Sequence, residues 1–209
     1  MNKSTTRTHK YYNVISEFYK DKATSKGIPY INHIDEGVGH LENLHVSDVL
    51  INAFILHPFV QCVNLKGTYK DCLLTEKELE KYINIYEIKP EIAYELLLYR
   101  KFANSYLCRP ETDNYSIIEA YEDIKELQNY QGTIRMLIAD KLQNFKDFLL
   151  YRKDDHPRSK FLCTYFTFWL NILADMVDSS SIVDYINFEL KLIDRPPVEP
   201  ISNKFRNKI

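Results

Sequence analysis

The chain has 209 residues, of which 45% are hydrophobic, and its 27 basic and 29 acidic side chains give a net charge of −2. A chain of this size supports one sizeable hydrophobic core. We therefore expect a single globular domain over residues 1–195 and a loose tail over residues 196–209. The near-neutral charge argues against nucleic acid or an anionic membrane as a partner.

The four cysteines, at positions 62, 72, 108 and 163, have no C-x-x-C spacing, and no apolar signal segment precedes them. This pattern favours a cytoplasmic protein over a secreted disulfide framework. Charged or polar residues interrupt every apolar run before it reaches about 18 residues, so no membrane span is predicted. The abundance of Tyr, Lys, Asn and Ile is typical of an AT-rich genome, and we carry a phage or other viral origin as a hypothesis.

Only 5 glycines occur in the chain, and long apolar stripes recur at helical spacing. Together they predict an all-α protein, a bundle of about eight helices or more. In the first half we expect helices over residues 11–22, 33–45 and 48–56, the last one capped by Ser47. A connection over 62–74 then leads to a helix that ends near residue 88 and begins with the capping box Thr75-x-x-Glu78.

The second half begins with a helix from Pro90 to about residue 108, followed by a loop over 110–116 and a helix over 116–130. The segment 134–151 carries the widest apolar stripe, which predicts a central helix buried by several neighbours. A further apolar helix is expected over 161–177. Ser180 or Ser181 caps the last helix, and regular structure ends at Arg195-Pro196-Pro197.

Three residues that are far apart in sequence combine the donor types of a metal site. His33, His57 and Asp140 each lie at the edge or in the middle of an apolar helical segment. Two neutral imidazoles and a carboxylate suit a divalent transition metal. The alternative is structural: hydrogen-bonded histidines, and an aspartate that pairs with a lysine or caps a backbone group. Spacing alone leaves both interpretations open.

A resemblance adds to the first interpretation. The words GIPYINH at residues 27–33, LH at 56–57 and MLIADKLQN at 136–144 resemble the HD-domain phosphohydrolases, in particular the guanosine tetraphosphate hydrolases of the RelA/SpoT and Mesh type. The resemblance covers about residues 10–150. It implies an HD-type helical bundle in which His33, His57 and Asp140 hold a divalent metal, with manganese as the first choice.

The chain departs from that family at several positions. Pro58 stands where the family carries a metal-binding aspartate, so the alternative of a site without metal stays open. Proline also disfavours helical geometry at the preceding residue, which predicts that the helix stops or bends there. The acidic pair that the resemblance links to the attacking water is replaced by Gln61 and Cys62, and the basic pair around the guanine by Thr24 and Ser25.

Candidate substrate-binding residues are polar groups on or beside apolar helices. Asn144, which the resemblance retains, shares a helix face with Asp140 at the i, i+4 spacing. Arg100 and Asn104 form a second i, i+4 pair. Arg158, in the loop before residue 161, is a further candidate phosphate ligand. For Arg100 the alternative is a stem packed on the core and a head paired with an acid, and for Arg158 it is a residue of a solvated loop.

The catalytic candidates are Glu36 and Gln61. Glu36 lies one helical turn after His33, a spacing that serves metal binding or proton transfer, and the alternative is a structural or solvated acid. Gln61 occupies a position of the lost acidic pair, although an amide is not a general base. Asp35 is expected to be a first-turn acid that the helix dipole stabilises. Three histidines are expected at the surface: His9, His40 and His45.

Two functional hypotheses follow. The first is a metal-dependent phosphohydrolase that acts on a nucleotide or a related phosphate ester. The second is a catalytically inactive HD-like scaffold that binds a nucleotide signal or a host protein, by inhibition or sequestration if the origin is viral. The expected partners are thus a nucleotide or phosphorylated small molecule, or a protein, with no membrane. A nucleic-acid-binding module is disfavoured because the sequence has no basic stripe.

Overall fold

The computed structural model describes residues 9–60, 76–103 and 124–198. Within these ranges every regular element is a helix, which confirms the all-α prediction, and an isolated antiparallel bridge joins Ala23 to Pro29. The chain divides into two compact units, Met1–Lys125 and Glu126–Ile209. The single domain over residues 1–195 stays a prediction. The candidates Gln61 and Asn104 lie outside the described residues.

The first unit contains five of the described α-helices. Their bounds are Tyr12–Phe18 (α1), Ile31–Asn43 (α2), Asp48–Leu56 (α3), Glu76–Ile85 (α4) and Pro90–Ala103 (α5). Helix α3 packs against α1, α2 and α5. Four consecutive residues of α3, 53–56, are fully buried, as expected for a helix with neighbours on several sides. Helix α3 is therefore the centre of this unit.

The starts of the helices agree best with the sequence predictions. Helix α3 begins at Asp48 after Ser47, whose extended backbone suits an N-cap although its side chain makes no capping hydrogen bond. Helix α5 begins at Pro90. The missing N–H of proline has no consequence there, because the N–H groups of a helix's first turn have no acceptor within the helix. A short 3-10 turn, His57–Phe59, directly follows α3.

Three helices of the first unit, α1, α2 and α4, end earlier than predicted. Helix α2 was expected to reach about residue 45 and α4 residue 88, yet His45 and Glu87 have left-handed backbones with φ of 51° and 49°. In each case the N–H of the next residue donates back to the helix, Val46 to Leu41 and Ile88 to Ile83. These are Schellman endings without the usual glycine. Helix α1 ends at Phe18 rather than at residue 22.

The second unit contains α6 (Gln131–Tyr151), α7 (Ser159–Met176) and α8 (Ser180–Leu192), which all pack against one another. The α-helix predicted up to residue 130 is wrong at its end, because Lys125–Asn129 is a 3-10 turn. All eight residues over 136–143 of α6 are buried, which confirms the expected buried helix. Among the described helices, none has the length and apolarity needed to cross a bilayer.

A glutamine fixes the start of α6 to the end of α7. The Gln131 side chain donates to the Met176 carbonyl at 3.0 Å and accepts from the Asp178 N–H at 3.1 Å. Arg135, one turn further along α6, forms an exposed ion pair with the Asp178 carboxylate at 3.3 Å. The amide thus satisfies backbone groups that the end of α7 leaves without a helical partner. This places α6 and α7 in a defined register.

Candidate functional site

The first unit brings two of the predicted metal ligands together. His33 lies in the first turn of α2 and is half-buried, whereas His57 lies directly after α3 and is fully buried. Their Nε2 atoms are 3.1 Å apart, and the two rings meet edge to face at an angle of 74°. The two nitrogens lie within hydrogen-bond distance, so the structure contains the structural alternative of hydrogen-bonded histidines as well as the convergence expected of two ligands.

A glycine allows this approach. Gly37 lies one turn after His33 on α2, and Phe54 lies one turn before His57 on α3. A Cβ atom at Gly37 would overlap the Phe54 ring. Because each contact residue is one turn away from a histidine, the close packing of α2 on α3 also sets the distance between the two imidazoles.

The second nitrogen of His57 is tied to the backbone. Its Nδ1 donates to the Phe54 carbonyl, which has no proton of its own to give. Nδ1 must therefore carry the hydrogen, and in the neutral ring Nε2 accepts from the Nε2–H of His33. The ring also contacts Phe54 and Tyr99, with centroids 4.6 and 5.1 Å away. Ligating histidines commonly show this arrangement, one nitrogen on a backbone acceptor and the other exposed to the ion.

Pro58 ends α3 as the sequence predicted. The α-helix stops at Leu56, and His57, Pro58 and Phe59 continue as a single 3-10 turn. His57 itself keeps a right-handed helical backbone, with φ −56° and ψ −28°. Pro58 is buried and offers neither a donor atom for a metal nor a backbone N–H.

The neighbours of His33 on α2 correct two predictions. Asp35 is the fifth residue of α2 rather than a first-turn acid, and one of its oxygens accepts from the Tyr12 hydroxyl at 2.8 Å. His40 was expected at the surface but is buried, with 3% of its surface exposed. His45 is exposed as expected, and Glu36 is half-buried one turn after His33. Asp35 thus links α1 to α2 and has no helix-dipole role.

The second unit contains the third candidate ligand. Asp140 is buried in α6, and both of its oxygens accept hydrogen bonds, Oδ2 from the Lys141 ammonium at 2.7 Å and Oδ1 from the Asn144 amide at 2.8 Å. The predicted i, i+4 relation between Asp140 and Asn144 is confirmed. The alternative interpretation of Asp140, an aspartate paired with a lysine, is confirmed as well.

The lysine of this pair is enclosed by aromatic rings. Its Nζ lies 5.7 Å from the centre of the Tyr165 ring and 5.6 Å from that of Trp169, within the range of cation–π attraction. Burial raises the pKa of the Tyr165 phenol, and the charge of Lys141 opposes that rise only in part. The phenol therefore stays neutral, and the Asp140 carboxylate is the anionic partner of the ammonium.

The two arginine candidates have different surroundings. Arg100 is half-buried on α5, next to Tyr99, whose ring contacts His57. Arg158 is exposed, and its guanidinium lies 4.3 Å over the Phe161 ring at the start of α7. Partial burial lowers the pKa of the nearby His156, and positive charges, including that of Arg158, lower it further. Arg158 is thus exposed, as the alternative of a solvated loop predicted, and its guanidinium packs on an aromatic ring.

Comparison of the chain with family models, with curated proteins and with solved structures finds no match. The resemblance to HD-domain phosphohydrolases therefore depends on three short sequence words, and the geometry of the candidate ligands is the structural argument. Sequence reasoning missed the Phe54 carbonyl and the role of Gly37. For Gly37 a signal was present, since a glycine within an amphipathic helix one turn from a candidate ligand indicates a close approach.

Proposed function

We propose that this chain is a divergent HD-type, metal-dependent phosphohydrolase that acts on a nucleotide or a related phosphate ester. The observation that carries the proposal is the pair of Nε2 atoms of His33 and His57, 3.1 Å apart, with the other nitrogen of His57 bonded to a carbonyl. Asp140 is the proposed third ligand, and each residue would contribute one atom.

The donor set fits a divalent transition metal. Metal–nitrogen bonds of about 2.0–2.1 Å place two neighbouring imidazole nitrogens about 3.0–3.4 Å apart, depending on the bond angle at the metal. The separation of 3.1 Å between His33 and His57 lies in this range. Manganese is the first choice because the resemblance implies it, although nitrogen donors also suit zinc and iron.

Two features of the chain would weaken metal binding. The Lys141 ammonium on Asp140 offsets part of the negative charge that attracts a cation. Pro58 removes the fourth donor that the resemblance implies. A site with three protein ligands still leaves positions for water and substrate, as catalytic metal sites do.

When bound, the ion supplies Lewis-acid polarisation of a phosphoryl oxygen and activation of water. The chain's own residues would position the reactants. Asn144 orients the Asp140 carboxylate through its 2.8 Å hydrogen bond, and Glu36, one turn after His33, is the candidate for moving a proton. Gln61 would orient a water molecule without taking its proton.

Cationic and amide side chains would bind the substrate's phosphate. The proposed phosphate-binding residues are Arg100, Asn104 and Arg158. The proposed setting is the cytoplasm, with a nucleotide or phosphorylated small molecule as the partner. A membrane or nucleic-acid partner is not part of the proposal. This substrate class would be tested with a panel of nucleoside mono-, di- and triphosphates and guanosine tetraphosphate.

Elemental analysis of freshly purified protein is the deciding experiment. We expect close to one equivalent of a transition metal in the wild type and its loss in His33→Ala and His57→Ala. For the third ligand the variant is Asp140→Ala combined with Lys141→Met, which removes both charges of the buried pair. A wild type that stays metal-free after manganese is supplied, or that hydrolyses nothing in the panel, would refute the proposal.

A second candidate function rests on Pro58 and Lys141. A proline in place of a ligand, and an ammonium on the remaining carboxylate, both favour an inactive scaffold that holds a nucleotide signal or a host protein. For this function the expected result is a nucleotide that is recovered intact in stoichiometric amount after long incubation. Multiple turnover of any nucleotide in the panel would exclude the scaffold.

A further inference from the structure

Pro58 changes the hydrogen bonding of the Phe54 carbonyl, four residues earlier. In a continuous α-helix the N–H of residue 58 would donate to that carbonyl. Proline has no N–H, and its ring would collide with the same carbonyl. The Phe54 carbonyl instead accepts from two donors of a single residue, the backbone N–H and the imidazole Nδ1 of His57.

We propose that Pro58 is a positioning residue that holds His57 in the Nδ1–H tautomer and so keeps Nε2 without a hydrogen, as an acceptor. A carbonyl oxygen only accepts, so the bond to Phe54 requires the hydrogen on Nδ1. An unconstrained neutral imidazole favours the other tautomer, with its hydrogen on Nε2. That hydrogen would point at His33 and occupy the site of a ligand bond.

The bond also fixes the plane of the ring. His57 is fully buried, and its ring is further contacted by Tyr99 and Phe54. With Nδ1 anchored, Nε2 is directed at His33 Nε2, 3.1 Å away. The consequence for metal affinity rests on the proposed function, whereas the tautomer is a property of the metal-free protein and is measured separately.

Long-range proton–nitrogen NMR of histidine-labelled, chelator-treated protein tests the tautomer directly. At about pH 9, well above the ordinary pKa of an imidazole, we expect His57 in the wild type to show a protonated Nδ1 and an unprotonated Nε2. In Pro58→Ala the residue 58 N–H competes for the Phe54 carbonyl, so the signals should move toward the Nε2–H tautomer. Pro90→Ala, which removes a proline from the first turn of α5, should leave His57 unchanged.

The second measurement is Mn²⁺ affinity, from paramagnetic resonance of the free ion. Loss of an outer partner of a ligating histidine typically weakens metal binding by about 10–100-fold, and we expect a loss of this size in Pro58→Ala. An Nε2–H tautomer in the wild type, or an unchanged tautomer in Pro58→Ala, would overturn the inference. If the tautomers behave as expected and the wild type binds no Mn²⁺, the positioning role stands and the proposed hydrolase fails.

Discussion

The two units treat their candidate ligands differently. In the first unit, His33 and His57 turn the Nε2 atoms of two imidazoles toward each other, and the other nitrogen of His57 is held by a carbonyl. In the second unit, both oxygens of Asp140 already accept bonds, one of them from a buried ammonium. The histidine nitrogens thus face each other, whereas the Asp140 carboxylate is paired with the Lys141 ammonium. The comparison shows that a stability role is testable for Asp140 independently of its proposed role as a ligand.

The largest effect is expected from removal of the carboxylate. Asp140→Ala would leave Lys141, with 3% of its surface exposed, as an uncompensated buried charge. Breaking one side of a buried ion pair typically destabilises a protein by about 3–5 kcal/mol. Urea denaturation should show a loss of unfolding free energy of this size, and the double variant Asp140→Ala/Lys141→Met should recover much of it.

The matched control is an exposed ion pair of the same unit. Arg135 and Asp178 are 3.3 Å apart with more than half of the Asp178 side chain exposed. Asp178→Ala should therefore change the unfolding free energy by only about 0–1 kcal/mol. Equal losses of unfolding free energy in the two variants would show that Asp140 does not stabilise the buried ammonium of Lys141. Asp140 would then have no special role in the stability of the second unit.

A smaller loss is expected from Gly37→Ala in the first unit. The added methyl group would overlap the Phe54 ring, and overpacking of this kind costs about 1–3 kcal/mol. It should also move α2 away from α3 and so separate His33 from His57. Mn²⁺ affinity, measured as the free ion concentration in titrations, should fall together with stability.

The rescue variant for this prediction is Gly37→Ala combined with Phe54→Leu, which makes room for the methyl group. Recovery of both stability and Mn²⁺ affinity would tie the histidine distance to the packing of α2 on α3. Full affinity in the single variant Gly37→Ala would mean that the packing does not set the distance between the imidazoles.

Pro58→Asp should restore the donor that the resemblance implies at this position. Compared with Pro58→Ala, which also lacks the proline, we expect Mn²⁺ to bind about tenfold more tightly, equivalent to about 1.4 kcal/mol. Pro58→Asn is the control because it keeps the shape of aspartate without the charge. If the Pro58→Asp and Pro58→Asn variants bind Mn²⁺ equally, the site does not use a carboxylate as a fourth ligand and the first unit is not an HD-type centre.

The fold was predictable where the signal is local. Helix starts carry residues that favour them, such as Ser47 before α3 and Pro90 in α5. Three helix ends lack the usual signal, which is a glycine in the left-handed conformation. The left-handed residues after α2, α4 and α8 are instead His45, Glu87 and Asp194. The predicted ends of α2 and α4 therefore came too late.

The site was predictable only in part. The words around His33 and His57 indicated a pair, but a backbone acceptor such as the Phe54 carbonyl has no signature in the sequence. A lysine partner for Asp140 was one of the predicted alternatives, but its identity as Lys141 was not, because adjacent residues on a helix do not normally face each other. Its pairing with Asp140 depends on burial of the ammonium by rings of another helix, which no local pattern records.

The smallest predicted effect is a gain in unfolding free energy, expected at one helix end in each unit. Glu87 and Asp194 each follow a helix with φ near 50°, and in both places the next N–H returns to the helix. A left-handed backbone is unfavourable for a residue with a Cβ, so Glu87→Gly and Asp194→Gly should each raise the unfolding free energy by about 0.5–1 kcal/mol. Lys191→Gly, inside α8, should instead lower it by about 1 kcal/mol. A loss in Asp194→Gly would show that its side chain stabilises the end of α8 more than its backbone strains it.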